Sequence, residues 1–422
     1  MTTDEAFVAG HGRVVGAREH GVLRFSAIPF AEPPVGELRW RAPRPARWSG
    51  KRDATLPGPI APQLPSRLSG AMGSVELPQS EDCLHLTVWT PAVDQRLRPV
   101  VVWLHGGAWQ SGAGALDWYS GARLASHGDL VVVAPNYRLG MLGWLYVPGQ
   151  TANVGLLDQE AAIAWVMDHI AEFGGDPSRV TLMGQSAGAM AAVCMLVRQP
   201  RLDRLILQST PLGRGIRRPE QAEALSIALL HALGVSDLDA ARKLPVQALL
   251  QAQQDAGVAQ ALAHENEMRS LFGPVADGAV LPGDIDAGLM AAASHADVLI
   301  GYTNDEMRAF SNMQDNPASA AIGDALFGAP SRQWARAAIA GGRGGWLYRF
   351  DHAPAPQFGA CHCIELPFVF GTLEAFVGAP MLDGLQPANG SRLCREIQAA
   401  WTAFIRREAP PWDPAPVIQV FC

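Results

Sequence analysis

Lysine is nearly missing from this sequence: Lys51 and Lys243 are the only two in 422 residues. Arginine supplies the rest of the positive charge, a bias that reads as genome composition rather than chemistry. Charged residues of both signs make up only 17% of the chain and the formal net charge is −7. That balance offers no basic face to nucleic acid or anionic lipid, so neither is an expected partner. No run of 18 apolar residues occurs, so no membrane span is expected. The first residues carry Asp4 and Glu5 rather than the apolar stretch of a signal peptide. Six cysteines in so long a chain without such a segment are expected to be reduced, and the protein to be cytoplasmic. Repeats, low-complexity tracts and charge blocks are absent as well. What is present is a chain 48% hydrophobic, long enough to bury a large core.

The order of local patterns implies an α/β fold. Residues 12–30 read as a β-hairpin, followed by a Pro-rich loop region to Glu81 and a strand over Leu84–Thr90. Val100–Leu104, Leu130–Ala134, Val180–Met183, Arg204–Gln208, Val298–Gly301 and Trp346–Phe350 are short apolar runs. Such runs suit parallel strands covered on both faces. Helical patterns fall between and after them at Tyr119–Ser126, Leu156–Phe173, Ala187–Val197 and Ser391–Arg407. Strand and helix alternating in this way imply βαβ units and a mostly parallel central sheet flanked by helices. Residues of about 215–265 are rich in Ala, Leu and Gln without a strand signal, and read as an all-helical cap inserted into one α/β domain spanning 1–422.

Within that frame, Gly184-Gln185-Ser186-Ala187-Gly188 is a G-x-S-x-G segment between a strand and a helix. A nucleophilic serine needs a sharp, strained turn that lifts its hydroxyl from the carboxyl edge of the sheet. Residues two before and two after crowd such a turn, hence the glycines. The helix starting at Ala187 aims its N–H groups at the place where an oxyanion develops. The same pattern alone also describes a plain Gly-flanked turn of a non-catalytic sheet protein. Upstream, the strand ending at Leu104 runs into His105-Gly106-Gly107-Ala108-Trp109. From that position hydrolases with a nucleophile elbow supply further oxyanion donors, and glycine lets the backbone turn its amides inward.

Together with these motifs, the segments Phe30–Arg39, Glu81-Asp-Cys-Leu84, Asn136-Tyr-Arg-Leu-Gly140, Asn153–Gln159 and Phe173-Gly-Gly-Asp-Pro177 make the chain resemble the type-B carboxylesterase family, to which bacterial p-nitrobenzyl esterases and cholinesterases belong. The likeness covers most of the chain. It implies the α/β-hydrolase fold with a reduced helical cap and a serine carboxylesterase activity on short-chain or aryl esters, bulky alcohols included. It also implies Ser186 as nucleophile, Glu306 in Leu299–Glu306 as orienting acid and His362 in Gly359–Pro367 as base. Gly107, Ala108 and Ala187 would give the oxyanion amides. No cofactor or metal is implied, the partner is a small-molecule ester, and the chain would work as a monomer or small homo-oligomer.

The sequence departs from the family pattern at several points. Gln185 stands where Glu commonly precedes the serine, and Met307 where Gly follows the acid. Cys83 faces Ala61 in place of its usual cysteine partner, and residues 57–80 hold no Trp of the kind that binds choline, so choline esters are expected to be poor substrates. The chain is also shorter around 255–275, around 311–345 and at its end.

Other residues read as structural. His105 belongs to the oxyanion loop, Arg39 and Asp158 to buried ion pairs, and Ser209 to a strand end. Cys361-His362-Cys363 has spacing too tight for a zinc site. Two rival classes remain: a non-catalytic binding member of the same family, and a lipase or peptidase on the same fold. The first typically loses a triad residue, and the second calls for a large apolar lid helix that this sequence does not display.

Overall fold

The apolar runs build one ten-stranded sheet in the computed structural model, which describes residues 4–199, 202–255 and 270–422. In chain order the strands are β1 (Glu5–Val8), β2 (Gly12–Val15), β3 (Ala17–Glu19), β4 (Val22–Pro29), β5 (Gly50–Asp53), β6 (His85–Thr90) and β7 (Arg98–Leu104). After them come β8 (Val131–Pro135), β9 (Gly175–Gln185), β10 (Arg204–Gln208), β11 (Asp297–Thr303), β12 (Gly345–Phe350) and β13 (Ile418–Phe421). The large sheet has the order β13-β12-β11-β10-β9-β7-β8-β6-β4-β3. Every pairing from β13 to β8 is parallel, and the pairings β8–β6, β6–β4 and β4–β3 are antiparallel.

The centre of the sheet shows why those runs are so apolar. Val100, Val101 and Val102 lie opposite Val131, Val132 and Val133, and all six are fully buried. Helices cover both faces. Val154–His169 and Ala187–Arg198 pack with the cluster around Leu104 and Leu182, and Pro387–Ile405 packs with the cluster around Trp103 and Ile206.

Three local outcomes differ from the sequence reading. The expected strand 12–19 splits at Gly16, whose added β-carbon would lie 2.7 Å from the Arg24 carbonyl oxygen and 2.8 Å from the Phe25 ring. β2 therefore joins β1 and β5 in a separate three-stranded sheet while β3 pairs with β4. The expected helix over 119–126 is a 3₁₀ turn at Asp117–Tyr119 followed by a helix at Ala122–Gly128. Past the last helix, β13 adds an edge strand beside β12 that its short, Pro-flanked sequence did not announce.

The stretch read as a cap holds helices Pro219–Ala232, Leu238–Arg242 and Val246–Gln254, and its last part, 256–265, lies outside the described residues. Arg39 fastens this stretch to the body. Its Nη1 donates to the carbonyls of Arg242 at 2.9 Å and Leu244 at 2.7 Å, while Nε and Nη2 grip both carboxylate oxygens of Glu81. Asp158, wholly buried, pairs separately with Arg138 at 2.6 and 2.7 Å. Both residues are thus buried ion-pair members, each with its own partner.

Candidate active site

Ser186 stands at the end of β9 with φ +52° and ψ −118°, in the left-handed half of backbone space that serine seldom enters. Two constraints hold it there. Its N–H donates to the Gln208 carbonyl at 2.8 Å, and its own carbonyl accepts the first helical bond from Met190 at 3.0 Å. The flanking glycines have no alternative. A β-carbon on Gly184 would meet the Ala189 nitrogen at 2.6 Å, and one on Gly188 would meet the Leu104 carbonyl oxygen at 2.0 Å.

The loop after β7 approaches this turn closely enough that a β-carbon on Gly106 would lie 2.2 Å from Gln185 Oε1 and 3.3 Å from Ser186 Cβ. Gly107, Ala108 and Trp109 all have positive φ, at +113°, +54° and +59°. The Ser270 hydroxyl donates to the Ala108 carbonyl at 2.7 Å, and the Gly140 N–H to the Trp109 carbonyl at 2.7 Å, so both carbonyls are tied. The N–H groups of Gly107, Ala108 and Ala187 donate to no acceptor among the described residues. Gly107, Ala108 and Ser186 line one chamber, and Ala108, Ser186 and Ala187 line the next. His105 is buried, stacked on Tyr137 and bonded to the Gly106 carbonyl at 2.7 Å; burial pulls it down to about 4, so it stays neutral and structural.

Glu306 and His362 come from loops that follow β11 and β12, and both are buried. His362 Nδ1 donates to Glu306 Oε2, Glu306 Oε1 accepts from the Thr303 N–H at 2.9 Å, and the His362 N–H donates to the Glu306 carbonyl at 3.2 Å. Asp305 clamps the same loops, its N–H donating to the Ala360 carbonyl and its carboxylate accepting from the Ala360 N–H, each at 2.9 Å. Met307 adopts no glycine-like φ; its side chain packs against Gly323, which explains how methionine replaces glycine after the acid. Burial works against a charged His362, yet the Cys363 sulfur and the Glu306 carboxylate outweigh it and hold the ring well above its ordinary value.

On its other side, His362 Nε2 receives the Gln185 side-chain amide at 3.1 Å, and the same amide nitrogen reaches Cys363 Sγ at 3.2 Å. Ser186 and His362 share two chambers but form no hydrogen bond with each other. Catalytic hydrogen bonds are often long in unliganded enzymes and tighten with substrate. Phe327 and Phe310 flank the ring with centroids 5.2 and 6.1 Å away.

Behind His362 lies a second buried carboxyl that the sequence reading did not single out. Glu365 is 1% exposed, accepts one hydrogen bond from Gln208 Nε2 at 3.1 Å, and leaves Oε2 unpaired. Burial first, and then the Glu306 carboxylate, push it up to about 7. Gln208 in turn accepts from Trp401 Nε1 at 3.3 Å. Ser209, fully buried with φ +46° and an unpaired hydroxyl, stands at the end of β10 beside this layer. Among the described residues no group of His, Cys, Asp and Glu has the makings of a metal site.

Two spaces meet at Ser186 and a third adjoins them. A chamber of about 160 Å³ opens between Leu64, Arg67, Gln253 and Phe310, and one of about 40 Å³ lies beside Ala187, Pro211 and Phe327. A larger cavity of about 570 Å³ adjoins the first, on the side of Gly106, Gln185 and Cys363. Its aromatic wall comes from Trp118 and Tyr119, and residues of the 60–79 stretch furnish much of the remainder without a tryptophan.

Residues 2–320 match the model of the carboxylesterase family. Over 97% of its length the chain is 37% identical to phenmedipham hydrolase of Pseudarthrobacter oxydans and 35% identical to para-nitrobenzyl esterase of Bacillus subtilis (strain 168), covering 91% of each. Its structure is similar to that of the Geobacillus stearothermophilus carboxylesterase EST55, with a TM-score of 0.80 and 31% identity over 99% of this chain and 96% of that one. No helix among the described residues is long and apolar enough to cross a membrane.

Proposed function

This chain belongs to the carboxylesterase family, has the α/β-hydrolase fold and is a carboxylic-ester hydrolase, and we propose that it works through Ser186 as nucleophile, His362 as general base and Glu306 as the acid that orients the base. The observation that carries this reading is the buried Glu306–His362 pair facing the chambers that hold the strained Ser186. His362 takes the Ser186 proton as Oγ attacks the ester carbonyl, then protonates the departing alcohol; water repeats the sequence on the acyl-enzyme. To take that proton, Nε2 must exchange its Gln185 contact for the Ser186 hydroxyl. Glu306 fixes the tautomer with the proton on Nδ1 and balances the imidazolium that forms. The free N–H groups of Gly107, Ala108 and Ala187 supply the oxyanion site.

The substrates fit short-chain and aryl esters. The small chamber beside Ala187 admits a short acyl group, and the cavity of about 570 Å³ admits an aryl or bulky alcohol. The relative named para-nitrobenzyl esterase favours the same class. We place the protein in the cytoplasm, as one α/β-hydrolase unit with the helices of 219–254 as its cap. Its six cysteines are unpaired, four of them buried, as in a reducing compartment. The reading is tested by initial rates on p-nitrophenyl esters from acetate to palmitate. Rates should be highest for the short chains; turnover of none would favour a non-catalytic binding member, and a maximum at palmitate a lipase.

A further inference from the structure

Next to the chamber of about 40 Å³ lies a recess of about 30 Å³, lined in part by Ile216, Phe272, Gly273 and Pro274. Trp109 and Arg214 are the two residues that border both spaces. They differ as walls. Arg214 is half-buried and reaches its place on a flexible stem, whereas Trp109 is a rigid indole only 5% exposed. The backbone of Trp109 is left-handed, with φ +59°, and its carbonyl accepts from the Gly140 N–H at 2.7 Å. The ring lies against Gly273, where an added β-carbon would stand 3.1 Å from two of its carbons. Trp144 packs on it with a centroid separation of 5.9 Å. Nε1 has no hydrogen-bond partner among the described residues, so shape and not a polar contact holds the ring. An indole fixed in this way is a partition.

We propose that Trp109 sets the length of acyl chain that the enzyme accepts. Its indole closes the chamber beside Ala187, and the recess becomes an extension of that chamber once the ring is removed. The inference rests on the esterase reading, with the acyl group beside Ala187, and adds the residue that limits that group. The chamber of about 40 Å³ holds about three water-sized groups. It therefore takes the chain of a butanoyl group and no more. The recess of about 30 Å³ adds room for about two further groups, besides the space that the ring itself vacates. Its walls suit a methylene chain, since Ile216 and Phe272 are both buried and apolar.

The test runs two ester series on the intact enzyme, each below its micelle-forming concentration. p-Nitrophenyl esters from acetate to octanoate lengthen the acyl side, and acetates from ethyl to octyl lengthen the alcohol side. In the wild type, kcat/KM should drop sharply past butanoate. In Trp109→Ala the octanoate-to-butanoate ratio should rise by about tenfold or more, the worth of two methylenes buried at about fourfold each. Trp109→Leu should shift the ratio less and Trp109→Phe least, while the alcohol series keeps its wild-type shape in all three. Each ratio is taken within one protein, so a general loss of kcat from a loosened oxyanion loop cancels. Trp109→Phe, the mildest truncation, carries the test where the smaller residues fail to fold. An unmoved octanoate-to-butanoate ratio in the folded variants, or a wild-type profile without a break past butanoate, would overturn the inference. So would an equal shift in both series, which marks the indole as a structural prop rather than a wall. Turnover of butanoate with the ratio unmoved refutes this inference alone; turnover of no ester, with Ser186 inert to a phosphonate, refutes the esterase reading beneath it.

Discussion

The backbone of Gly188 lies so near that of Leu104 that a β-carbon there would be 2.0 Å from the Leu104 carbonyl oxygen. Leu104 is the last residue of β7 and runs directly into the loop that carries Gly107 and Ala108. One contact therefore sets the distance between the nucleophile turn and the loop of free amides.

Gly188→Ala should break that contact. No flexible side chain can yield, since the nearest atoms the new β-carbon would meet are all backbone atoms of Leu104 and His105, so the cost should be about 3 kcal/mol or more. The variant should melt well below the wild type, and whatever remains folded should lose kcat. Unchanged melting and kcat would show that the two segments are less tightly coupled than their close approach implies.

The pH profile reports on His362. The ring must be neutral to take the Ser186 proton, so kcat/KM falls as pH drops through its pKa. Because the folded environment raises that pKa above 6.5, the acid limb should lie above 6.5. Glu306→Gln removes a charge that holds it there. The limb should move to lower pH, and kcat should fall by about three to four orders of magnitude through the lost tautomer control. A limb that stays in place in Glu306→Gln would contradict the pairing.

Glu365 makes stability depend on pH in a definite direction. Its folded pKa of about 7 exceeds the ordinary 4.5, so between these values the native state binds a proton that the unfolded chain has released. Stability therefore falls as pH rises through this window and is level above it, by on the order of 3 kcal/mol for the whole shift. Glu365→Gln keeps the shape and the acceptor for Gln208 and should remove this component. Urea midpoints at pH 5 and pH 8 measure it; equal pH dependence in variant and wild type would rule Glu365 out as the titrating group.

Ala108 has φ +54°, which excludes proline at that position and so closes the simplest route to deleting its amide. Glycine suits the angle, and Ala108→Gly should keep kcat within about threefold. With the carbonyls of Ala108 and Trp109 tied away to Ser270 and Gly140, the loop leaves width beside Ser186. Hydrolysis of tert-butyl acetate should accordingly exceed background while remaining slower than that of ethyl acetate. Background rates in the wild type would show that the loop closes the alcohol side.

The central strands were legible because valine triplets such as 100–102 and 131–133 have one physical use, burial on both faces. The elbow was legible because its glycines answer to contacts of 2.0 and 2.6 Å. What the sequence hid are relations between distant segments. Nothing local in Phe310 or Phe327 marks them as walls of His362, since neither lies in a periodic pattern. Arg67 sits in a Pro-rich loop whose course depends on the whole body, and Glu365 becomes a titrating group only through burial behind Glu306. The split at Gly16 follows from its contact with Arg24 and Phe25, a tertiary constraint that a strand pattern cannot carry.

The central claim is that Ser186 is the attacking atom, and covalent labelling tests it most directly. A phosphonate or sulfonyl fluoride probe should add once per chain, and peptide mass mapping should place the adduct on Ser186. The Ser186→Ala variant should fold like the wild type, take up no label and lose ester hydrolysis by several orders of magnitude. An adduct on another residue, or ester turnover that survives in Ser186→Ala, would contradict the account.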